Sequence, residues 1–137
     1  MTFTVPGDPL PKARPRFVRG HTMTDPRTTR AEQLVVMAAK RAKVKPLDGP
    51  VAIWVAYYRR TKVRCDLDNL VKLTMDALNG TAWADDDQVV SIHATKHLDK
   101  DNPRTEVRLE LAANMVERVE TAFDAFDDGL TLGIRRA

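Results

Sequence analysis

The sequence predicts an α+β domain. It has one mixed β-sheet in the order strand, helix, strand, helix, strand, strand, with helices packed on it and a further helix at the C-terminus. Three observations carry this. Residues 51–58, VAIWVAYY, are apolar at both parities, as in a strand in the interior of a sheet. Ala31, Leu34, Val35, Ala38 and Ala42 form an apolar stripe at helical spacing. In 104–111, RTEVRLEL, Val107, Leu109 and Leu111 alternate with Arg108 and Glu110, which predicts a strand with one buried face.

Taken in order, residues 2–5, TFTV, read as a short strand. Pro6, Gly7, Pro9, Pro11, Pro15 and Gly20 make 6–23 a loop. Asp25-Pro26 opens the first helix, and Pro46 follows its end. After the strand at 51–58 comes a basic run, Arg59, Arg60, Lys62 and Arg64. The second helix starts near Asp68 or Asn69, both good capping types, and stops at Asn79-Gly80. Residues 81–87 are a loop. Residues 88–97 and 104–111 read as two strands forming a hairpin about the turn from Asp99 to Pro103. Met115, Val116, Val119, Ala122, Phe123 and Phe126 share a stripe in a last helix that ends at Asp127-Asp128-Gly129. The division is therefore a core of residues 1–112 and a helical extension of residues 113–137.

The 137 residues fit a single domain with one core, and 43% hydrophobic with 30% charged is a globular composition. One cysteine, Cys65, excludes an internal disulfide framework and an all-cysteine zinc site. It suits a reducing compartment, the cytoplasm. No stretch has the length of a signal peptide core or a membrane span.

The net charge of +3 is unevenly spread. Residues 1–64 hold 14 Lys/Arg against 4 Asp/Glu, whereas residues 65–112 hold 5 against 10. A basic half before an acidic patch suits a protein that grips a polyanion and sets metals against it. A solvated surface of uneven charge is the plainer alternative.

The acidic residues concentrate in Asp66-Leu67-Asp68 and Asp85-Asp86-Asp87. In an extended chain the first pair points one way, roughly 6.6 Å apart along the backbone. A helix of about three turns joins the two clusters, and can return the chain to the same sheet edge. Converging carboxylates repel unless a cation sits among them, and oxygen-only donors suit Mg²⁺. Such a cation polarises a phosphoryl oxygen and activates water, which is the chemistry of phosphodiester hydrolysis. The alternative is that Asp68 caps a helix and the triple Asp is a solvated loop.

Lys72 follows Asp68 by one helical turn. It either pairs with Asp68 or Asp76 or holds an ammonium over a phosphate. His93 and His97 lie on the polar face of their strand, opposite Val90, Ile92 and Ala94, without a zinc-type partner set. His21 stands alone in a loop, and Cys65 reads as packing. Trp54 and Trp83 read as core or hinge residues. No glycine-rich phosphate loop or nucleophile elbow is present.

The combined pattern is specific where its pieces are not. Asp66-Leu67-Asp68-Asn69-Leu70-Val71-Lys72, then Asp76-Ala77-Leu78-Asn79-Gly80, then Trp83-Ala84-Asp85-Asp86-Asp87-Gln88-Val89 resembles the RusA family of Holliday junction resolvases. The opening Val5-Pro6-Gly7 with Pro9-Leu10-Pro11-Lys12-Ala13-Arg14-Pro15-Arg16, and Thr24 to Arg27, resemble that family's N-terminus. The resemblance covers residues 1 to about 112 and implies a homodimeric, Mg²⁺-dependent endonuclease that resolves four-way DNA junctions by paired nicks. It implies Asp66, Asp68 and Asp86 as catalytic metal ligands, with Asp85 a helper and Lys72 essential for cleavage. It also implies a phage or prophage setting. Residues 113–137 extend beyond the resemblance.

On this reading Lys12, Arg14, Arg16 and Arg19, with Arg59, Arg60, Lys62 and Arg64, contact the phosphates of the junction arms. Two alternatives stand beside it: a non-catalytic DNA-binding module, and a nuclease for flaps, forks or replication intermediates.

Overall fold

The computed structural model describes residues 1–112; the helix expected at 113–126 and the extension as a whole lie outside the described residues. Strand β1 (Thr2–Pro6) is followed by a small hairpin, β2 (Arg16–Val18) and β3 (His21–Met23), then α1 (Pro26–Arg41), β4 (Val51–Arg59), α2 (Leu67–Leu78), a 3-10 turn at Asp86–Gln88, β5 (Val89–Leu98) and β6 (Arg104–Leu111). The expected α+β class and mixed sheet are present. The main sheet has the order β1-β6-β4-β5, with β4 parallel to β5 and antiparallel to β6.

Two expectations are corrected here. The last two strands are not a hairpin: β5 and β6 flank β4, and the turn at 99–103 carries the chain across the end of that strand. Alternation reports which face of a strand is buried, not which strand lies beside it. The loop expected at 6–23 contains β2 and β3, joined through Arg19 and Gly20, both at positive φ (51° and 80°). Positive φ at both central positions suits a tight hairpin turn. All six paired residues are exposed, so no buried face marked these strands in the sequence.

Both helices cover one face of the sheet. Val51, Ile53, Val55 and Tyr57 of β4 point into the core with Val107 and Leu109 of β6 and Phe3 and Val5 of β1. Asp25 caps α1, its Oδ1 accepting from the Arg27 N–H at 2.8 Å. The buried stripe of α1 is Thr28, Ala31, Val35 and Ala39, rotated from the expected one, so Leu34 and Ala42 are exposed. From α2, Leu70, Leu73, Thr74, Ala77 and Leu78 are buried. The Tyr57 hydroxyl and Thr74 Oγ1 share a hydrogen bond of 2.8 Å, and burial raises the Tyr57 pKa.

The other face of β4 carries Trp54, Ala56 and Tyr58. Among the described residues no helix covers it; cations do. Arg108 lies 4.9 Å over the Trp54 ring, and Arg104 lies 3.9 Å over Tyr58, which stacks on His97. Guanidinium planes shield these rings while keeping their own charge in water.

Candidate metal centre and nucleic-acid interface

Asp66 is the N-cap of α2, yet its side chain makes no capping hydrogen bond. An aspartate there ordinarily accepts from the first-turn N–H groups. Here both oxygens stay unspent, with only the Arg64 Nε at 3.9 Å. Asp68 lies in the first turn and is exposed; its Oδ1 accepts from the Asn69 N–H at 2.9 Å. The cap therefore lies two residues before Asp68, the nearer of the two expected caps, and the Asp66-Leu67-Asp68 pair straddles the helix boundary. Backbone N–H groups unsatisfied at this end favour negative charge.

Asp66 opens into a cleft of about 340 Å³ lined by Arg59, Thr61, Lys62, Val63, Arg64, Cys65, Lys96, His97 and Leu98. The cleft lies where β4 and β5 end. Lys96 Nζ donates to the Cys65 carbonyl at 2.6 Å and so fixes the peptide leading into Asp66. Lys96 was missed in the sequence. Its signal was parity: it lies on the same side of β5 as Ile92 and Ala94, a cation in an otherwise apolar row.

The second acidic cluster is built differently. Asp85 Oδ1 accepts from the Asp87 N–H at 3.0 Å, and Gln88 Oε1 accepts from the Ala84 and Asp85 N–H groups at 2.8 and 3.1 Å. This is a capping box on the 3-10 turn. Gln88 Nε2 donates to the carbonyls of Leu47 and Gly49 at 2.8 and 2.9 Å, which staples the turn to the chain entering β4. Asp86 Oδ1 takes a 2.8 Å hydrogen bond from Trp83 Nε1, and that indole is wholly buried. Asp86 is held by the core, while Asp85 serves the turn.

The expectation that α2 returns the second cluster beside the first does not hold within one chain. Asp66 and Asp68 lie at the end of β4 and β5, whereas Asp86 lies where both strands begin. The 12 residues of α2 separate them, about 18 Å of helix. Among the described residues no group of three His, Cys, Asp or Glu is close enough to hold one metal ion. The donor chemistry nonetheless fits Mg²⁺: Asp66 and Asp68 are exposed and Asp86 half-buried, each keeps at least one carboxylate oxygen without a hydrogen bond, and no imidazole or thiolate is among them.

Lys72 is exposed and has no ion pair among the described residues. Its expected partner Asp76 is taken by Lys12, whose Nζ lies 3.0 Å from Asp76 Oδ2 and 2.5 Å from Glu32 Oε1. Burial pulls the Lys12 pKa down, but the hydrogen bonds to Glu32 and Asp76 outweigh it and hold it above the usual lysine value. Lys12 thus ties the N-terminal loop to both helices. Arg59 is also committed: it is 8% exposed, its Nη1 donates to the Val63 carbonyl at 2.6 Å, and its Nε has no partner. Arg14, Arg16, Arg19, Arg60, Lys62 and Arg64 are exposed.

A family model described as endodeoxyribonuclease RusA matches residues 6–110. The protein YqaN of Bacillus subtilis (strain 168), described as uncharacterized, is 31% identical over 133 residues, covering 78% of this chain and 93% of its own.

Proposed function

The chain belongs to the RusA family of endodeoxyribonucleases, and we propose that it resolves four-way DNA junctions in a Mg²⁺-dependent reaction by paired, symmetric nicks. Family membership decides for an endonuclease over a non-catalytic DNA-binding module. One observation carries the metal reading: Asp66 occupies a helix cap without capping, its oxygens unspent at the mouth of a cationic cleft.

Asp66 and Asp68 at the start of α2, and Asp86 with Asp85 beside it beyond the other end, are the carboxylates that would hold the metal, although within the described residues of one chain the two pairs do not meet. Bound Mg²⁺ supplies polarisation of a phosphoryl oxygen and an acidified water. The chain's own groups do the rest. The N-terminus of α2 orients its unsatisfied N–H groups toward the anionic substrate. Lys72, free of any carboxylate among the described residues, meets the charge that grows on the phosphate in the transition state. Lys62 and Arg64 at the cleft, with Arg60 nearby and Arg14, Arg16 and Arg19 on the N-terminal hairpin side, grip the backbone of the arms without reading sequence. Lys12 and Arg59 instead hold the loops that carry these cations.

The experiment is nicking of a labelled synthetic four-way junction with and without Mg²⁺. Cleavage is expected only with the metal, and Asp68→Asn is expected to abolish it while leaving junction binding intact. Full activity of Asp68→Asn sinks the assignment.

A further inference from the structure

The hairpin of β2 and β3 buries none of its paired residues, yet it is anchored at both roots. On the entering side the Lys12 N–H donates to the Asn69 carbonyl at 2.9 Å, and the Ala13 N–H to Thr28 Oγ1 at 3.3 Å. On the leaving side Asp25 caps α1. Asn69 follows Asp68, so the hairpin is rooted beside the end of α2 that carries Asp66 and Asp68. Phe17 is five residues beyond Lys12, a reach of at most about 18 Å from that root. Three-residue strands with no buried face gain little stability of their own. The core does not account for this arm.

Its two faces differ. The register pairs Arg16 with Met23, Phe17 with Thr22 and Val18 with His21. Side chains alternate between faces, so Arg16, Val18, His21 and Met23 share one face, and Phe17 and Thr22 the other. The first face borders a groove of about 450 Å³ completed by Asp25, Pro26 and Arg27 at the start of α1. The second turns away from it. Phe17 there is 76% exposed, the highest value of any large hydrophobic side chain among the described residues. Arg14, Arg16 and Arg19 flank it along the chain, and none has an ion pair among the described residues.

An aromatic ring held out among unpaired guanidinium groups is a stacking platform for nucleic-acid bases. The cations attract backbone phosphate, and the ring offers a π-face to a base that presents one. Continuous duplex presents none, since each base is covered above and below. A four-way junction interrupts the stack at its crossover, where turning a base face toward protein costs least. We propose that Phe17 stacks on a base at the branch point, and that this contact makes branched DNA bind more tightly than duplex. The phosphate contacts of Arg14, Arg16 and Arg19 serve both forms alike. This rests on the junction-resolving reading above and adds to it the residue that senses the branch.

The test uses the full chain, a synthetic four-way junction with 2-aminopurine beside the crossover, and a duplex of the same sequence. Ca²⁺ replaces Mg²⁺, so that binding is read without cleavage. Wild type is expected to bind the junction more tightly than the duplex and to change the 2-aminopurine emission. Phe17→Ala should lower the ratio of junction to duplex affinity about tenfold, within the range for one base stacked on an aromatic ring, and remove the emission change. Its slope of log affinity against log salt should match wild type, because every cation remains. Phe17→Tyr, which keeps the ring, should restore both the ratio and the emission change. Equal weakening on both DNAs in Phe17→Ala overturns the proposal. So does a fall of several degrees in its melting temperature, which would make Phe17 a packing residue. A changed oligomeric state in light scattering does the same, because it would place Phe17 between copies of the chain. Nicking with Mg²⁺ separates this contact from the function. If wild type cleaves the junction and Phe17→Ala keeps the wild-type affinity ratio, the stacking contact alone is overturned. Wild type that neither binds nor cleaves the junction overturns the functional reading, and the stacking contact with it.

Discussion

Trp83 donates its only side-chain hydrogen bond to Asp86, 2.8 Å away, from a position with no exposed surface. The bond couples the hydrophobic core to a carboxylate proposed as a metal ligand. An indole N–H is donor only, so it also fixes which oxygen of Asp86 remains free. Trp83→Phe removes the donor and part of the packing. Stability should fall by about 2 kcal/mol, from a lost hydrogen bond and a small cavity. The Mg²⁺ concentration for half-maximal cleavage should rise about tenfold, in the range of other partners that orient metal ligands. Melting scans and a Mg²⁺ titration of nicking check both; an unchanged Mg²⁺ midpoint would separate Trp83 from the metal centre.

Lys72 has no ion pair to lose among the described residues, so its replacement should not disturb the fold. Lys72→Met is expected to leave the melting temperature within a degree or two, since surface substitutions of this kind change stability by about 0.5 kcal/mol or less. Single-turnover cleavage should slow about 10²–10³-fold, the size seen when one transition-state contact is removed. Rapid-quench kinetics at saturating enzyme give the comparison. A large drop in stability would return Lys72 to a structural role.

The cations of the cleft divide by exposure. Arg64 is 93% exposed at its side chain and Lys62 is exposed, whereas Arg59 is buried and bonded to the Val63 carbonyl. Lys62→Gln and Arg64→Gln should each lower the slope of log affinity against log salt by about 1, as one phosphate contact is lost. Arg59→Gln should instead lower the melting temperature by loosening 59–63. Fluorescence anisotropy with a junction across a salt series distinguishes the two behaviours.

Lys12 gives a pH signature. Its folded pKa lies above the ordinary 10.5, so the stability it contributes is present in full below that value. The contribution is lost as pH rises through the folded pKa. Lys12→Gln should therefore melt below wild type at neutral pH, with the gap closing above pH 10.5. Tyr57, whose pKa burial also raises, ionises on the alkaline side in both proteins and cancels in the difference. Thermal melts from neutral to strongly alkaline pH check this; a gap constant with pH would mean the Glu32 and Asp76 pairing contributes nothing.

Much of this molecule is legible from its residues, in a way that tracks burial. The run VAIWVAYY announced a central strand, and Asp25-Pro26 and Asn79-Gly80 punctuated the helices correctly. Adjacency was not legible. Nothing in β5 or β6 records that β4 lies between them, because each strand's pattern encodes its faces and not its edges. For the same reason the acidic residues were identifiable while their separation was not: a helix of α2's length reaches across the sheet from one end to the other. Exposed elements such as β2 and β3 lacked a buried face to announce them.

The strand order has a consequence for synthesis on the ribosome. The last described strand, β6, sits between the first and the central one, and among the described residues β1 has no other neighbour in the sheet. A nascent chain emerging up to residue 103 carries every acidic residue of the proposed site but has no β6 to hold β1 to β4. Most of its pairing is long-range, so closure waits on the end of the domain. The nuclease would then be assembled late and at once, and a stalled or truncated chain would expose carboxylates and cations on an open sheet that cannot place them.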